Sequence, residues 1–542
     1  MRKTTKRIVA MCSALMMAMP MFAGCKKNQD TGRSCIDVYC YDAGYGVQWC
    51  EDMLKAFVKE DWVTKKYPGI KYTFFYDKVA STAASKLKAT EKGNPYDLLF
   101  SCSLEQKYLS GDYCADLTTD VYNAKIPAEN LTYAEKCYDS YNETNKDVDR
   151  ETGEVRYYTA PWAGGMNGIL YNAELLATLT DEIPRTTDEL IAVCDSALEN
   201  SGNKNGKYDK GYSFIHYKNL GYWQYLFPIW WAQYEGAEGY YNFWNGIVKD
   251  GDQEIISKKI FEQKGRLESL KMFEKLLDYD TGYITPIGYG KEYMTVQTMY
   301  LQGSGLFYVC GDWYDMEMSS MRNDIIKQEG KAYTIKQMRT PIISSIVNKL
   351  TYRTESNERM SDEMLSELVK AIDEGKTSFE GVSERDFAYV KAAREVVQSI
   401  GPGHQTVVPV YAKESAMAKD FLLFMASDKG NEIYIKATQG ASLPFDYDVK
   451  EKSPETWANL SELQKDRLSY FNDKSLKVNT LAYGENSPLS RYGGVREFTT
   501  SGYWSLLASA EKNVTAQGIY DKTIADWTDG KWASALSKAG LN

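Results

Sequence analysis

The sequence predicts an α/β fold arranged as two large lobes, and three observations carry that expectation. Strand-like and helix-like segments alternate over residues 34–101, the third strand of the series is short and nearly all apolar, and 542 residues at roughly 150 per domain require more than one body. A strand that is apolar on both sides belongs to a parallel sheet covered on both faces, and the intervening helices supply the cover.

The elements follow in order from local pattern. Residues 34–41 (SCIDVYCY) alternate as a strand, and 49–67 carry apolar residues at helical spacing until Pro68-Gly69 ends the run. A second strand is expected at 70–76, a second helix at 81–90 and the apolar third strand at 96–101 (YDLLFS). Ligands of such sheets bind beyond the carboxyl ends of the strands, which here means Asp42 to Tyr45 and residues 101–103. Residues 156–161 (RYYTAP) read as a further strand. They lead into WAGGMNG at 162–168, where three glycines and two other small residues loosen the backbone as a hinge would. Helices are expected next at 188–199, 267–278 and 292–302, then an apolar strand at 305–309 and the turn Gly311-Asp312-Trp313. The stretch 351–401 is strongly charged. Its apolar residues Met364, Leu365, Leu368 and Ile372, and then Phe387, Val390 and Val397, keep helical spacing, which predicts an inserted helical pair on the surface.

Composition narrows the function classes. With 64 Lys and Arg against 74 Asp and Glu the net charge is -10, too acidic for nonspecific binding of nucleic acid. The only histidines, His216 and His404, stand far apart and in no known motif, which excludes a multi-histidine metal centre and argues against Ser-His or Cys-His catalysis. Aromatic residues make up 13%, as 42 Tyr and 12 Trp but 18 Phe, so rings with a polar handle predominate, and these suit wet binding surfaces. The loop 201–212 resembles a worn EF-hand loop, with Ser201 and Tyr212 where the first Asp and closing Glu belong, and is expected to be a plain turn. The acidic run 147–155 reads as a hairpin turn around Gly153. No metal and no cofactor are expected.

Arg2, Lys3, Lys6 and Arg7 precede an apolar run at 8–22 and the small pair Ala23-Gly24, the pattern of a secretory signal. Its apolar run of about 15 residues is shorter than the roughly 20 a spanning helix needs. Phe22-Ala23-Gly24-Cys25 resembles the bacterial lipobox, which implies cleavage before Cys25 and acylation of its thiol, with polar 26–33 as a tether. Loss of the four basic leader residues takes the charge from -10 to -14, so the body is expected to project away from anionic lipid. Beyond Cys12 and Cys25, the even number of remaining cysteines and an oxidising compartment permit disulfides. Spacing fixes no pairing, and mostly free, buried thiols are expected.

Six segments, in order, resemble one family: the bacterial extracellular solute-binding proteins that feed ABC importers, of the group 1 type that mostly binds sugars. They are the lipobox at Cys25, PYDLLF at 95–100, APWAGGMNGILYN at 160–172, IPRTTDELIAVC at 183–194, MYLQGSGLFYVCGDW at 299–313 and the block AMAKDFLLFMASDKGNEIYIKATQGASLP at 416–444. The resemblance implies a periplasmic-binding-protein-like type II fold, two α/β lobes closing on a ligand in the cleft between them. It also implies a monomeric, non-enzymatic lipoprotein on the extracytoplasmic face of the cell membrane, anchored through Cys25, that hands a carbohydrate, expected to be an oligosaccharide, to ABC permease subunits. Crossings at about 163 and 305 would make both lobes discontinuous, with 34–162, 305–350 and 402–412 in the first, 163–304 and 413–542 in the second, and 351–401 inserted. One departure stands out: sugar binders of the family often carry a carboxylate or other polar residue in the hinge, where this chain has Gly164 and Gly165.

A sugar offers flat C–H faces and rims of hydroxyls, so its site needs rings for stacking and carboxylates or amides for paired hydrogen bonds. By resemblance to the family's glycine-x-tryptophan block, Trp313 faces the cleft, with Asp312 beside it. Trp162 at the first crossing, Trp223, Trp230 and Trp231 in the aromatic run 222–231, and Asp42 and Tyr45 after the first strand complete the candidates. Tyr503 and Trp504 would join them if the C-terminal region folds back, whereas Asp97 at the start of a buried strand reads as structural. Two other readings stay open. A binder of peptides or other solutes would line its cleft with charged anchors, and a glycoside hydrolase would use an aromatic cleft with paired acids. Acids are abundant in any chain with 74 of them and do not discriminate; the lipobox and the ordered blocks weigh against the hydrolase.

Overall fold

The computed structural model describes residues 34–541 except 90–92, 103, 106–107, 149–151, 201–212, 279, 285–289, 398, 400–402, 474, 477–478, 482–486, 500 and 509–512. The leader, Cys25, the tether and the loop 201–212 lie outside the described residues.

The first lobe begins as a parallel sheet. Its central strand β1 (Cys35–Tyr41) pairs in parallel with β2 (Lys71–Asp77), Cys35 opposite Lys71, and with β3 (Leu98–Ser101), Val38 opposite Leu98. Alternation along β1 buries Ile36, Val38 and Cys40, and β3 is buried throughout, as an apolar run in a two-faced sheet must be. Helix α1 (Gln48–Phe57) covers the sheet with Trp49, Met53, Leu54 and Phe57. The single helix expected over 49–67 is two: Glu60 is extended, α2 (Asp61–Lys66) restarts after it, and the turn sets the Trp62 ring 5.9 Å from Phe57. Helix α3 (Ser81–Lys88) follows. Strands β4 (Lys146–Val148) and β5 (Val155–Tyr157) pair as an antiparallel hairpin across the acidic run, and β6 (Ala160–Pro161) ends this part of the lobe.

Past the glycines the chain enters a second sheet. Strand β7 (Gly168–Asn172) leads to α4 (Thr187–Asn200), β8 (Phe214–Ile215), α5 (Phe227–Asn245), α6 (Lys264–Leu277) and α7 (Tyr293–Leu301). Strand β9 (Phe307–Cys310), α8 (Tyr314–Glu329) and β10 (Ile335–Gln337) complete this sheet, in the order β10-β7-β9-β8. Strand β7 runs antiparallel to both β9, with Gly168 opposite Cys310, and β10, with Asn172 opposite Ile335.

That pairing corrects the expected lobe boundaries. The sequence places residues 305–350 in the first lobe, but β9 and β10 are hydrogen-bonded into the second sheet, so the chain does not cross at 305. The segment 351–401 is not a surface addition either. Its helices α9 (Asp362–Asp373) and α10 (Glu384–Glu395) bury Leu365, Leu368, Ile372, Phe387 and Val390 in the second lobe's core, and Arg394 grips Asp373 at 2.9 and 2.8 Å to tie one helix to the other.

The chain returns at β11 (Gln405–Val407), antiparallel to β3, with Gln405 opposite Ser101, and to β6. Helices α11 (Ser415–Ala426) and α12 (Asp428–Ala437), expected in the second lobe, pack instead on α1 in the first, where the rings of Phe421 and Phe57 are 5.3 Å apart. A third passage follows them. Helix α13 (Glu462–Asn472) lies against β10, and α14 (Ala516–Asp526) and α15 (Asp529–Ala539) bury Ile519, Tyr520 and Ala535 in the second core. The cysteines of the described residues are free thiols, most of them buried. Among the described residues no helix is long and apolar enough to cross a membrane.

Candidate functional site

The carboxyl end of β1 opens into the loop 42–46, and this loop meets the turn 311–313 of the other lobe. Gly44 is the point of closest approach: a Cβ there would lie 2.9 Å from Trp313 Cβ and from Glu317 Oε1. Beside it the buried Tyr45 hydroxyl donates to Asp312 Oδ1 at 2.5 Å, a hydrogen bond between lobes. The Tyr45 ring meets Trp162 and Trp313 edge-on at 5.9 and 6.3 Å. Asp42 stands at the rim, with its carboxylate 3.6 Å from Lys78 Nζ.

Trp313 ends the turn after β9 and caps α8. It keeps 7% of its surface exposed, where Trp162, Trp230 and Trp231 keep none. Two tyrosines flank it, Tyr222 at 5.5 Å and Tyr225 at 6.1 Å between ring centres. They come from a 3₁₀ helix, Lys218–Tyr225, whose three-residue period sets 222 and 225 on one face and turns Trp223 away. From Tyr222 the rings continue outward to Tyr217 at 4.7 Å and on to Tyr293 at 6.5 Å, which is 38% exposed. A series of aromatic rings thus leads from the buried Trp313 to the surface.

Polar side chains converge behind Trp313. Asp312 is buried, and burial holds its carboxyl at about 6, although Arg467 and the Tyr45 hydroxyl both favour the charged form. Glu317, one helical turn beyond Trp313, is held at about 7 by burial while accepting from Gln297 Nε2 at 2.8 Å. Helix α13 presents Gln464 and Arg467 on one face: Gln464 Nε2 donates to the Asp312 carbonyl at 3.1 Å, and Arg467 Nε donates to Gln337 Oε1 at the end of β10. The hinge accounts for its own missing side chain. Gly165 has φ +137°, and a Cβ on it would overlap Asp312 Oδ2, so the Asp312 carboxylate occupies the space a side chain there would need.

The structure therefore brings Tyr45, Asp312 and Trp313 together, with Asp42 at the rim. It places other candidates elsewhere. Trp162 stacks on Trp49 at 5.3 Å and donates its Nε1 hydrogen to the Ser101 carbonyl at 2.8 Å, so it serves as the floor beneath Tyr45. Trp223, Trp230 and Trp231 lie in the second lobe's core and do not line the junction. Trp223 and Trp230 both meet Phe273 edge-on at 5.7 Å, and Trp231 meets Phe243 at 4.5 Å. Helix α5, which carries Trp230 and Trp231, packs against α6 and uses these rings for that packing. Trp504 also meets Phe273, at 5.1 Å, and is core. Asp97 accepts from the backbone of Asp37 and of Glu414, both at 2.9 Å, a structural tie. Gln337, Gln464 and Arg467 carried no sequence signal; the period of three in Tyr222 and Tyr225 was the one available clue to those rings. Among the described residues no group of three His, Cys, Asp or Glu is placed to hold a metal ion.

Residues 51–331 match the family model of the bacterial extracellular solute-binding proteins. The fold is shared with several solved structures. The sugar-binding protein MalE from Xanthomonas citri is 13% identical, covers 94% of this chain and all of its own, and superposes with a TM-score of 0.57. A protein from a structural study of xylan utilisation by Caldanaerobius polysaccharolyticus gives 13%, 91%, 100% and 0.54 in the same terms. The GacH receptor of Streptomyces glaucescens, solved unliganded and with acarbose, gives 14%, 91%, 97% and 0.52. No curated protein sequence matches the chain. These likenesses establish the two-lobed type II binding-protein fold.

Proposed function

The chain belongs to the bacterial extracellular solute-binding proteins, and we propose that its solute is a carbohydrate, an oligosaccharide, captured between the lobes and delivered to an ABC permease without being cleaved. The observation that carries this reading is the pairing, at the lobe junction, of an aromatic platform with buried hydrogen-bonding groups. Trp313 and its flanking tyrosines suit a sugar's C–H face, and Asp312, Gln464 and Arg467 suit its hydroxyls. The ring series running out to Tyr293 supports a ligand longer than one sugar unit. The first lobe brings Tyr45 and Asp42 to the same junction, and ligand favours the closed state only through contacts with both lobes. The signal-like leader at 1–24, followed directly by Cys25, supports delivery from a lipid anchor on the outer face of the membrane.

A thermal-shift screen of the secreted chain against oligosaccharides of varied linkage, with peptides and polyamines as controls, tests the reading. A ligand that binds the folded state alone raises the melting temperature. A shift with one class of glycan, without hydrolysis products, is expected; shifts with peptides alone, or cleavage of the glycan, would overturn it.

A further inference from the structure

The lobe junction holds a set of buried polar atoms that find no hydrogen-bond partner in the protein, and their chemistry specifies the ligand more closely. Asp312 Oδ2 is one, although Asp312 is only 2% exposed. Arg467 is equally buried, and both of its terminal nitrogens, Nη1 and Nη2, are unpartnered while Nε is held by Gln337. The two residues attract one another but form no ion pair. Gln464 Oε1, Gln337 Nε2 and both side-chain atoms of Asn167 in the hinge complete the set. A guanidinium fork left bare in the interior is costly, and so is a bare carboxylate oxygen; natural structures reserve such groups for a ligand or for ordered water.

Donors and acceptors are balanced in this set. Arg467 Nη1 and Nη2 and Gln337 Nε2 can donate only, Asp312 Oδ2 and Gln464 Oε1 can accept only, and Asn167 offers both a donor and an acceptor atom. A ligand carboxylate would satisfy the Arg467 fork but bring a like charge against Asp312. An ammonium would satisfy Asp312 but face Arg467. A hydroxyl donates and accepts at once. Resting on the carbohydrate reading above, we infer that the junction takes an uncharged sugar unit, whose adjacent hydroxyls bridge Asp312 and Arg467, and that these two residues reject uronic and amino sugars.

Matched trisaccharides test the inference on the full secreted chain by calorimetry: xylotriose, maltotriose and galactotriose as neutral probes, trigalacturonate as the acidic one and triglucosamine as the basic one. One neutral probe is expected to bind at least tenfold more tightly than either charged probe. Asp312→Asn, which keeps shape, and Arg467→Lys, which keeps charge but loses the fork, are each expected to weaken it tenfold or more. Gln464→Leu is the third variant, read against the ligand-free melting temperature of each. Equal or tighter binding of trigalacturonate or triglucosamine overturns the inference while leaving the carbohydrate reading intact, as does neutral binding that survives all three substitutions within twofold. Failure of every glycan to bind overturns both.

Discussion

Asp312 is held protonated more easily in the folded chain than in the unfolded one, and that gives a test at the scale of one residue. Burial is the largest cause, and it lifts the carboxyl from the ordinary aspartate value of 3.8 to about 6. An acid whose folded value is raised contributes stability that is fully present below pH 4 and is lost as pH rises through about 6. Two pH units correspond to roughly 3 kcal/mol. Asp312→Asn keeps an acceptor for the Tyr45 hydroxyl and cannot ionise. It is therefore expected to melt above the parent chain at pH 7.5, by up to about 3 kcal/mol of stability, and to converge with it near pH 4. Melting curves of both chains from pH 4 to 8, without ligand, check this; parallel curves would count against it. The variant gains stability as it loses affinity, a trade typical of binding sites. Asp312, Trp313 and Tyr45 were legible in the sequence because each sits within two residues of a glycine in a turn that follows a strand. Arg467 and Gln464 were not, since α13 is distant in sequence from β9 and nothing local marks which of its faces meets Asp312.

The inserted helices make the corresponding test for an element. Their helical spacing was plain in the sequence, as in Leu365, Leu368 and Ile372, but periodicity says which residues are buried and not what they are buried against. The structure answers that α9 and α10 belong to the second lobe's core, beneath α5. Leu368, which has no exposed surface, becomes a test of that placement: Leu368→Ala is expected to cost about 2–5 kcal/mol, as deletion of core leucine side chains does. Ligand affinity of the folded protein should stay unchanged, because the site lies elsewhere. Denaturant unfolding followed by titration of the folded variant measures both. A loss under 1 kcal/mol would return 351–401 to the surface. The misplaced tryptophans follow the same logic. The run 222–231 is dense in rings, and density alone does not tell a binding face from a packing face; helical direction does, and it turns Tyr222 and Tyr225 to the junction and Trp230 and Trp231 to the core.

At the scale of the whole molecule, the lobes are joined by three passages of chain, near 165, between β10 and β11, and after α12. The glycine-rich first passage was legible because it looks like a hinge. The others were not, because a crossing is defined by which sheet the next strand joins, and pairing partners such as β9 with β7 or β11 with β3 lie far apart in sequence. Three passages confine the lobes to a hinged motion, so access to Trp313 depends on how far the loop 42–46 stands from the turn 311–313. Gly44 sits where they touch, with no room for a side chain. Gly44→Val should therefore wedge the lobes apart. The residue lies in a surface loop of the first lobe, so each lobe keeps its own core and the ligand-free chain should melt as a folded protein. The closed population falls, and apparent affinity falls in proportion to it. The expected result is at least tenfold weaker glycan binding and a radius of gyration, measured by X-ray scattering, that no longer shrinks at glycan concentrations saturating the parent chain. Unchanged affinity with a normal contraction would mean that closure does not bring Gly44 against Trp313, and the cleft would have to be sought on another face of the lobes.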